Sequence, residues 1–221
     1  MNPFSRRRLA VLTVSAGLVL AGCGGAAAED QAAAGHEEHT DSAVAEVEGP
    51  EDRYAGLDLP HPYQRPSFTL TGPGGQPYDF AAETAGRPTL LFFGFTNCPD
   101  ICPTTMADVA VALRGVDPAL AEQVQVVFVT TDPAFDTPEV LAEYLGRFDA
   151  DLPTRFVGLT GDQAAIDQAQ LAAGVPQAED NGRLHSSLLL LYGTDDLADV
   201  AFDAGNTSRD IAEDLALVTQ A

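Results

Sequence analysis

The chain has 221 residues, with 33 acidic side chains against 11 basic ones and a formal net charge of −22 at pH 7. Every basic residue is arginine, 45% of the chain is hydrophobic and there are three cysteines. This balance excludes a nucleic-acid binder and a protein that lies on an anionic membrane surface.

The N-terminus reads as an export segment. Ser5-Arg6-Arg7-Arg8 is a basic start, and Leu9 to Leu20 is an apolar run. That run is shorter than the ~20 residues a membrane span needs, and it suits the core of a signal peptide. Leu20-Ala21-Gly22-Cys23 follows and resembles the lipobox of bacterial lipoproteins, in which the cysteine becomes the lipidated first residue. Ser5-Arg6-Arg7 also partly resembles a twin-arginine export signal. The expected division is a lipoprotein signal peptide over residues 1–22, a lipidated acidic tether over 23–60 and a globular domain over 61–221. The tether is built from Ala, Gly, Glu and Asp and cannot form a core. As a flexible coil it reaches roughly 30–35 Å. His36 and His39 lie in it as His-Glu-Glu-His, a loose metal trap at most and ordinary linker histidines by default, and His61 beside prolines carries less still. The expected location is the extracytoplasmic face of the cell membrane, held by lipid on Cys23. All 33 acidic residues and eight of the arginines follow Cys23, so the mature chain is more acidic still.

From about His61 the composition becomes globular, and the remaining length suits one domain with a real core. Residues 67–71 and 78–80 flank a Gly-Pro-Gly-Gly turn and predict a hairpin. Leu90 to Phe95 is short, apolar and aromatic, as a strand buried on both faces should be. Thr104 to Arg114 follows with Met106, Val109, Ala110 and Leu113 at helical spacing; Met106 reads as a core residue rather than a thioether ligand. Val124 to Thr131 predicts a second buried strand. Thr137 reads as the N-cap of a helix with Pro138 at its first position and Glu139 in its first turn. A short strand over 156–159, a helix over 162–173 and a polar loop over 177–184 come next. Ser187 to Tyr192 is a third apolar strand, with Leu197 to Phe202 set to pair with it, and Ser208 caps a last helix through Val218. Strands alternating with helices predict an α/β fold with a mainly parallel sheet covered on both faces. The closing ββα unit resembles the thioredoxin fold. No Gly-rich phosphate loop follows a strand.

The chemistry concentrates in residues 90–106, LLFFGFTNCPDICPTTM. Thr96 and Asn97 break the apolar run, so Cys98 and Cys102 fall on the turn out of a central strand. Pro103 fits the first turn of the helix beyond. In open α/β sheets ligands gather at that end of the strands. A helix N-terminus there is expected to lower thiol pKa values. With Cys23 lipidated, Cys98 and Cys102 are the pair that remains, and outside the cytoplasm disulfide, redox and metal readings are all open. A structural disulfide across so small a loop would constrain the unfolded chain little. In a thioredoxin-like sheet, the loop before the third apolar strand sits across from the cysteine turn, which makes His185 a candidate third ligand. Two Cys and one His suit Cu(I), and also admit Cu(II) or zinc.

Phe95-Thr96-Asn97-Cys98-Pro99-Asp100-Ile101-Cys102-Pro103 resembles the signature of the Sco/SenC family. Thr131-Asp132-Pro133 with Asp136-Thr137-Pro138 is similar to that family's second motif, and Leu159-Thr160-Gly161 also fits. His185 falls where the family's copper-binding histidine should, ahead of a strand ending in Tyr192. The likeness covers roughly residues 65–218. It implies a thioredoxin-like fold, copper as the bound metal, Cys98, Cys102 and His185 as its ligands, and copper delivery in cytochrome c oxidase assembly. Two positions depart from the family's habit: Leu184 stands where an acidic residue often precedes the histidine, and Phe135 where a basic residue is common. Both alter the surface around the site and leave its ligands in place. Asp132 and Asp136 are expected either to shape and dock that face or simply to cap the turn and helix, and Asp100 is the nearest carboxylate for a fourth ligand.

Two functions follow from these residues. The first is a membrane-anchored copper chaperone, which passes copper ligand by ligand to the dinuclear copper site of an oxidase subunit, with other copper carriers or thiol reductants as further partners. The second is a thiol–disulfide oxidoreductase, in which Cys98 and Cys102 form the redox pair and keep the acceptor's cysteines reduced. The Cys-x-x-x-Cys spacing departs from the usual Cys-x-x-Cys of such enzymes, and both cysteines crowd one turn, which disfavours a thiol peroxidase.

Overall fold

Strand β4, Thr89–Gly94, is buried along its whole length, and the rest of the domain is arranged around it. The computed structural model describes residues 53–179 and 185–219. The signal peptide, Cys23, His36, His39 and Leu184 lie outside the described residues. Among the described residues no helix is long and apolar enough to cross a membrane.

In chain order the elements are β1 (Leu57–Gln64), β2 (Thr69–Thr71), β3 (Pro77–Asp79), α1 (Phe80–Thr84), β4, α2 (Ile101–Gly115), α3 (Pro118–Ala121), β5 (Gln125–Thr130), α4 (Pro138–Asp149), β6 (Val157–Leu159), α5 (Gln163–Ala172), β7 (Leu189–Tyr192), β8 (Leu197–Phe202) and α6 (Ser208–Val218). The main sheet runs β1-β8-β7-β4-β5-β6, and β2 with β3 forms the expected hairpin as a separate sheet. β4, β5 and β6 are parallel, with Phe92 opposite Phe128. β7, β8 and β1 extend the sheet antiparallel, with Phe92 opposite Leu189 on the other side. The sheet is therefore mixed, and its parallel part is the β4-β5-β6 half.

The apolar run of β4 lacks alternation because helices cover both faces. Leu90 and Phe92 pack with Met106 and Val109 of α2, Leu141 and Leu145 of α4, and Ile211 and Leu215 of α6. Leu91 and Phe93 face the other way, onto Phe80 of α1 and Ile166 and Ala169 of α5. Each such side chain contributes roughly 1.5–3 kcal/mol when fully buried. Met106 is a core residue, as expected.

The helix starts follow local chemistry. Thr137 accepts a hydrogen bond from the Val140 amide at 3.4 Å, with Pro138 next in line. Asp162 accepts from the Ala165 amide at 2.8 Å. At α6 the cap is Thr207 rather than the expected Ser208. The cause is Asp210, whose carboxylate reaches back to the Thr207 amide at 2.7 Å and to its hydroxyl. A cap at Ser208 would place Ile211 at that return position, and Ile has no acceptor.

Three elements escape the sequence reading: β1, α1 and α3. The expected domain boundary between residues 60 and 61 falls inside β1, which pairs with β8 from Leu57 opposite Ala201 to Gln64 opposite Leu197. Pro60 and Pro62 are tolerated because β1 is the edge of the sheet, and its register shifts between Asp58 and Tyr63. α1 and α3 are short turns capped by Asp79 and Asp117.

Candidate metal centre

The carboxyl end of β4 and the start of α2 define one edge of the sheet, and β7 begins at that same edge because it runs antiparallel to β4. Cys98 therefore sits on the turn after β4, Cys102 in the first turn of α2, and His185 four positions before β7. The structure brings these three together. One ligand atom from each lies within 4.8 Å of the others, and they form the one such group among the described residues. Both cysteines are free thiols.

Each ligand is held by its own element. The Cys98 amide donates to the Phe95 carbonyl at 3.3 Å, which closes the turn. The Cys98 Sγ in turn accepts the Cys102 amide at 3.4 Å. That amide is among the unpaired donors at a helix start, and Asp100 at the N-cap position makes no side-chain cap of its own. The Cys102 Sγ lies 3.6 Å from His185 Nε2. His185 Nδ1 is 2.8 Å from the Ser186 carbonyl, so Nδ1 carries the proton and Nε2 presents its lone pair to the sulfurs. The imidazole stands edge-on to Phe92 and Phe95, with ring centroids at 6.1 and 5.6 Å.

Burial sets the electrostatics. Cys102 is fully buried and Cys98 half-buried. Burial pushes the Cys102 thiol well above its ordinary range, and the hydrogen bond it donates to Cys98 adds to the shift. The expected lowering by the helix start does not prevail at Cys102, because loss of hydration outweighs a dipole effect near a helix end. In the metal-free state Cys102 is a protonated thiol. A bound cation changes that, since a coordinating thiol is deprotonated.

The acidic residues stand outside this ligand group. Asp136, buried, is spent on hydrogen bonds from the Thr96 amide at 3.0 Å, from the Thr96 hydroxyl, and from the Thr130 hydroxyl at 2.6 Å. Its role is to tie the cysteine turn to the end of β5, rather than to cap α4, which Thr137 does. Nothing local in the sequence marks the partnership with Thr96, which joins two loops from different strands. Phe135 is 68% exposed on the same loop and adds an apolar projection. His61 lies within β1, outside the ligand group.

A two-thiolate, one-imidazole set suits a soft or borderline cation in low coordination. The comparisons with known proteins bear on which. The SCO1/SenC family model matches residues 59–220. A protein of Stutzerimonas stutzeri named for copper binding is 40% identical over 157 residues, covering 65% of this chain and 74% of that protein. Apo Sco1 from Thermus thermophilus superposes with a TM-score of 0.64 and 30% identity, over 77% of this chain and 100% of that one. ScoI of Bradyrhizobium japonicum, solved with copper bound, superposes with a TM-score of 0.58 and 31% identity, over 71% of this chain and 99% of that one. These solved relatives carry the same thioredoxin-like architecture, and with the family match covering residues 59–220, most of the chain, the chain belongs to the SCO1/SenC family.

Proposed function

We propose that this chain is a membrane-tethered copper carrier that holds copper between Cys98, Cys102 and His185 and delivers it to the dinuclear copper site of cytochrome c oxidase. The observation that carries the reading is the convergence of two free thiols and one imidazole nitrogen within 4.8 Å. Two thiolates favour Cu(I), which accepts three ligands, whereas structural zinc usually takes four. The copper-bound relative from Bradyrhizobium supports the choice of metal. In this reading the cysteine of Leu20-Ala21-Gly22-Cys23 is lipidated after export. Residues 24–60 then act as the leash on the extracytoplasmic face, with β1 taking up its last few positions.

Delivery is ligand exchange. A thiolate or imidazole of the acceptor bonds to copper as one of the three ligands lets go, and the copper keeps its electron count. Cys98, the more exposed sulfur, is the ligand an acceptor reaches first, while Cys102 is sealed in the core. The same asymmetry supports a second reading, a thiol–disulfide oxidoreductase with Cys98 attacking and Cys102 resolving. That chemistry has no use for His185.

The deciding experiment titrates the reduced mature chain with Cu(I) against a competing chelator, beside His185→Ala and Cys98→Ser. One copper per chain, held tightly by the parent and sharply weakened in both variants, is the expected result. Binding indifferent to His185 sinks the carrier reading, and disulfide reduction then becomes the activity to assay.

A further inference from the structure

Among the described residues, Phe135 is the most exposed large apolar side chain, at 68%, and the one aromatic of that group. Its loop is nonetheless stiff. Pro133 and Pro138 restrict the backbone on either side of it. The amides of Phe135 and Asp136 both donate to the Asp132 carbonyl, at 3.1 and 3.0 Å. Asp136 itself is buried and bonded to Thr96 and Thr130. A loose loop could fold a phenylalanine back onto the core, whereas this one holds the ring out in water. Burial gains scale with the apolar area removed from water, so so exposed a ring adds little to the fold.

The place of the loop supplies another use. Asp136 ties it to Thr96, two residues before Cys98. Val140, in the first turn of α4, is exposed as well and lines a cavity with Thr96 and Asn97. Apolar surface therefore borders the turn that carries the more exposed of the two sulfurs. A protein that takes copper from Cys98 must bring its own ligand into bonding reach there, so its surface has to cover that border. The border is also acidic. Asp100 and Glu139 are exposed, and Arg147, the basic side chain of the cavity, is already paired with Glu143 at 3.0 Å. The chain as a whole carries −22.

We propose that Phe135, with Val140 beside it, is the anchor on which the copper acceptor docks, and that the acceptor offers an apolar pocket ringed by basic side chains next to its own metal ligands. Phe135 is not a ligand; it sets which protein receives the copper. An aromatic side chain that fills a partner's pocket commonly dominates an interface, and a loop that is already rigid loses little freedom on docking. Opposite charge around the anchor speeds encounter and rejects other acidic proteins. The inference deepens the carrier reading and rests on it.

The test follows Cu(I) transfer from the loaded, reduced mature chain to the soluble metal-free dinuclear copper domain of the oxidase, and separately to a small chelator. Phe135→Ser is compared with the parent and with Leu217→Ser, which removes an exposed apolar side chain from α6. Transfer to the protein acceptor is expected to slow about tenfold in Phe135→Ser alone, the loss of one good anchor. Transfer to the chelator, which needs no docking, should stay within twofold in all three. Added salt should slow delivery by the parent. Unchanged protein transfer in Phe135→Ser overturns the inference. So does equal slowing toward the chelator, since Phe135 would then act on the metal site, and so does equal slowing in Leu217→Ser. Delivery that quickens with salt overturns the basic ring. A parent that binds Cu(I) but passes none to the oxidase domain fails earlier, at the delivery reading, and this inference falls with it.

Discussion

Asp136 accepts hydrogen bonds from both the backbone amide and the hydroxyl of Thr96, and so anchors the turn that carries Cys98 to the end of β5. The carboxylate is buried and also takes the Thr130 hydroxyl at 2.6 Å. Asp136→Ala strands three donors at once. The expected cost is roughly 3 kcal/mol of folding stability, with copper affinity falling as well because Cys98 loses its fixed approach. Chemical unfolding and a chelator competition on the same preparation check both. A variant with parent-like copper affinity would show that the turn holds its shape without Asp136.

Gly94, the last residue of β4, is pressed against the site. A β-carbon there would come within 2.8 Å of the Cys102 Sγ and 2.7 Å of a Phe92 ring carbon. Neither neighbour can retreat, since both are fully buried in the core. Gly94→Ala is expected to destabilise by about 1–3 kcal/mol and to push Cys102 away from His185. Copper affinity should drop even though no ligand is changed. Unaltered binding with unaltered stability would mean that the core gives way more easily than its packing implies.

The acidity of Cys102 predicts a pH dependence with a definite sign. Burial raises this thiol above its ordinary range, so the metal-free protein keeps the proton through neutral pH. A bound copper displaces it. Apparent affinity should therefore rise with pH, about tenfold per unit for each proton released. Folding is linked in the opposite sense. The unfolded chain has an ordinary thiol of pKa about 8.5, so the stability that Cys102 contributes is full below that value and is lost as pH rises above it. Competition titrations at three pH values and melting of the metal-free protein on the alkaline side check the two signs. A flat affinity profile would show that Cys102 already ionises without metal.

Much of this was open to inspection in the sequence. β4, β5 and β7 are buried on both faces and so read as unbroken apolar runs. The spacing of Cys98 and Cys102, with Pro103 beside them, fixed the turn and the helix start. His185 came from the place of its loop across from the cysteine turn in a thioredoxin-like sheet, with the family resemblance beside it, and the antiparallel course of β7 explains why it arrives at the same edge. What escaped depends on partners distant in the chain. β1 looks like linker because an edge strand with prolines draws its order from backbone pairing to β8. Asp136 looks like a helix cap because the Thr96 it serves belongs to another strand's loop.

The entry of the chain into the domain is itself an anchored structure. Tyr54 is buried in the core, and the amides of Ala55 and Gly56 donate to the two oxygens of Asp214 at 2.9 and 2.8 Å. Asp214, on α6, is fully buried, and burial raises its carboxyl pKa against the pull of those two amides. A chain beginning at His61 lacks all three residues and half of β1. It leaves a buried carboxyl group without its donors and uncovers the edge of β8. The expected loss is at least about 3 kcal/mol, or a melting temperature roughly 6–12 °C lower. A chain beginning at Glu48 should melt with the full mature protein. Because the metal site lies on other elements, copper affinity at low temperature should be nearly the same in both. Equal melting temperatures would mean that residues 54–60 add nothing to the fold, and the boundary of the domain would then lie at His61, as the composition alone implies.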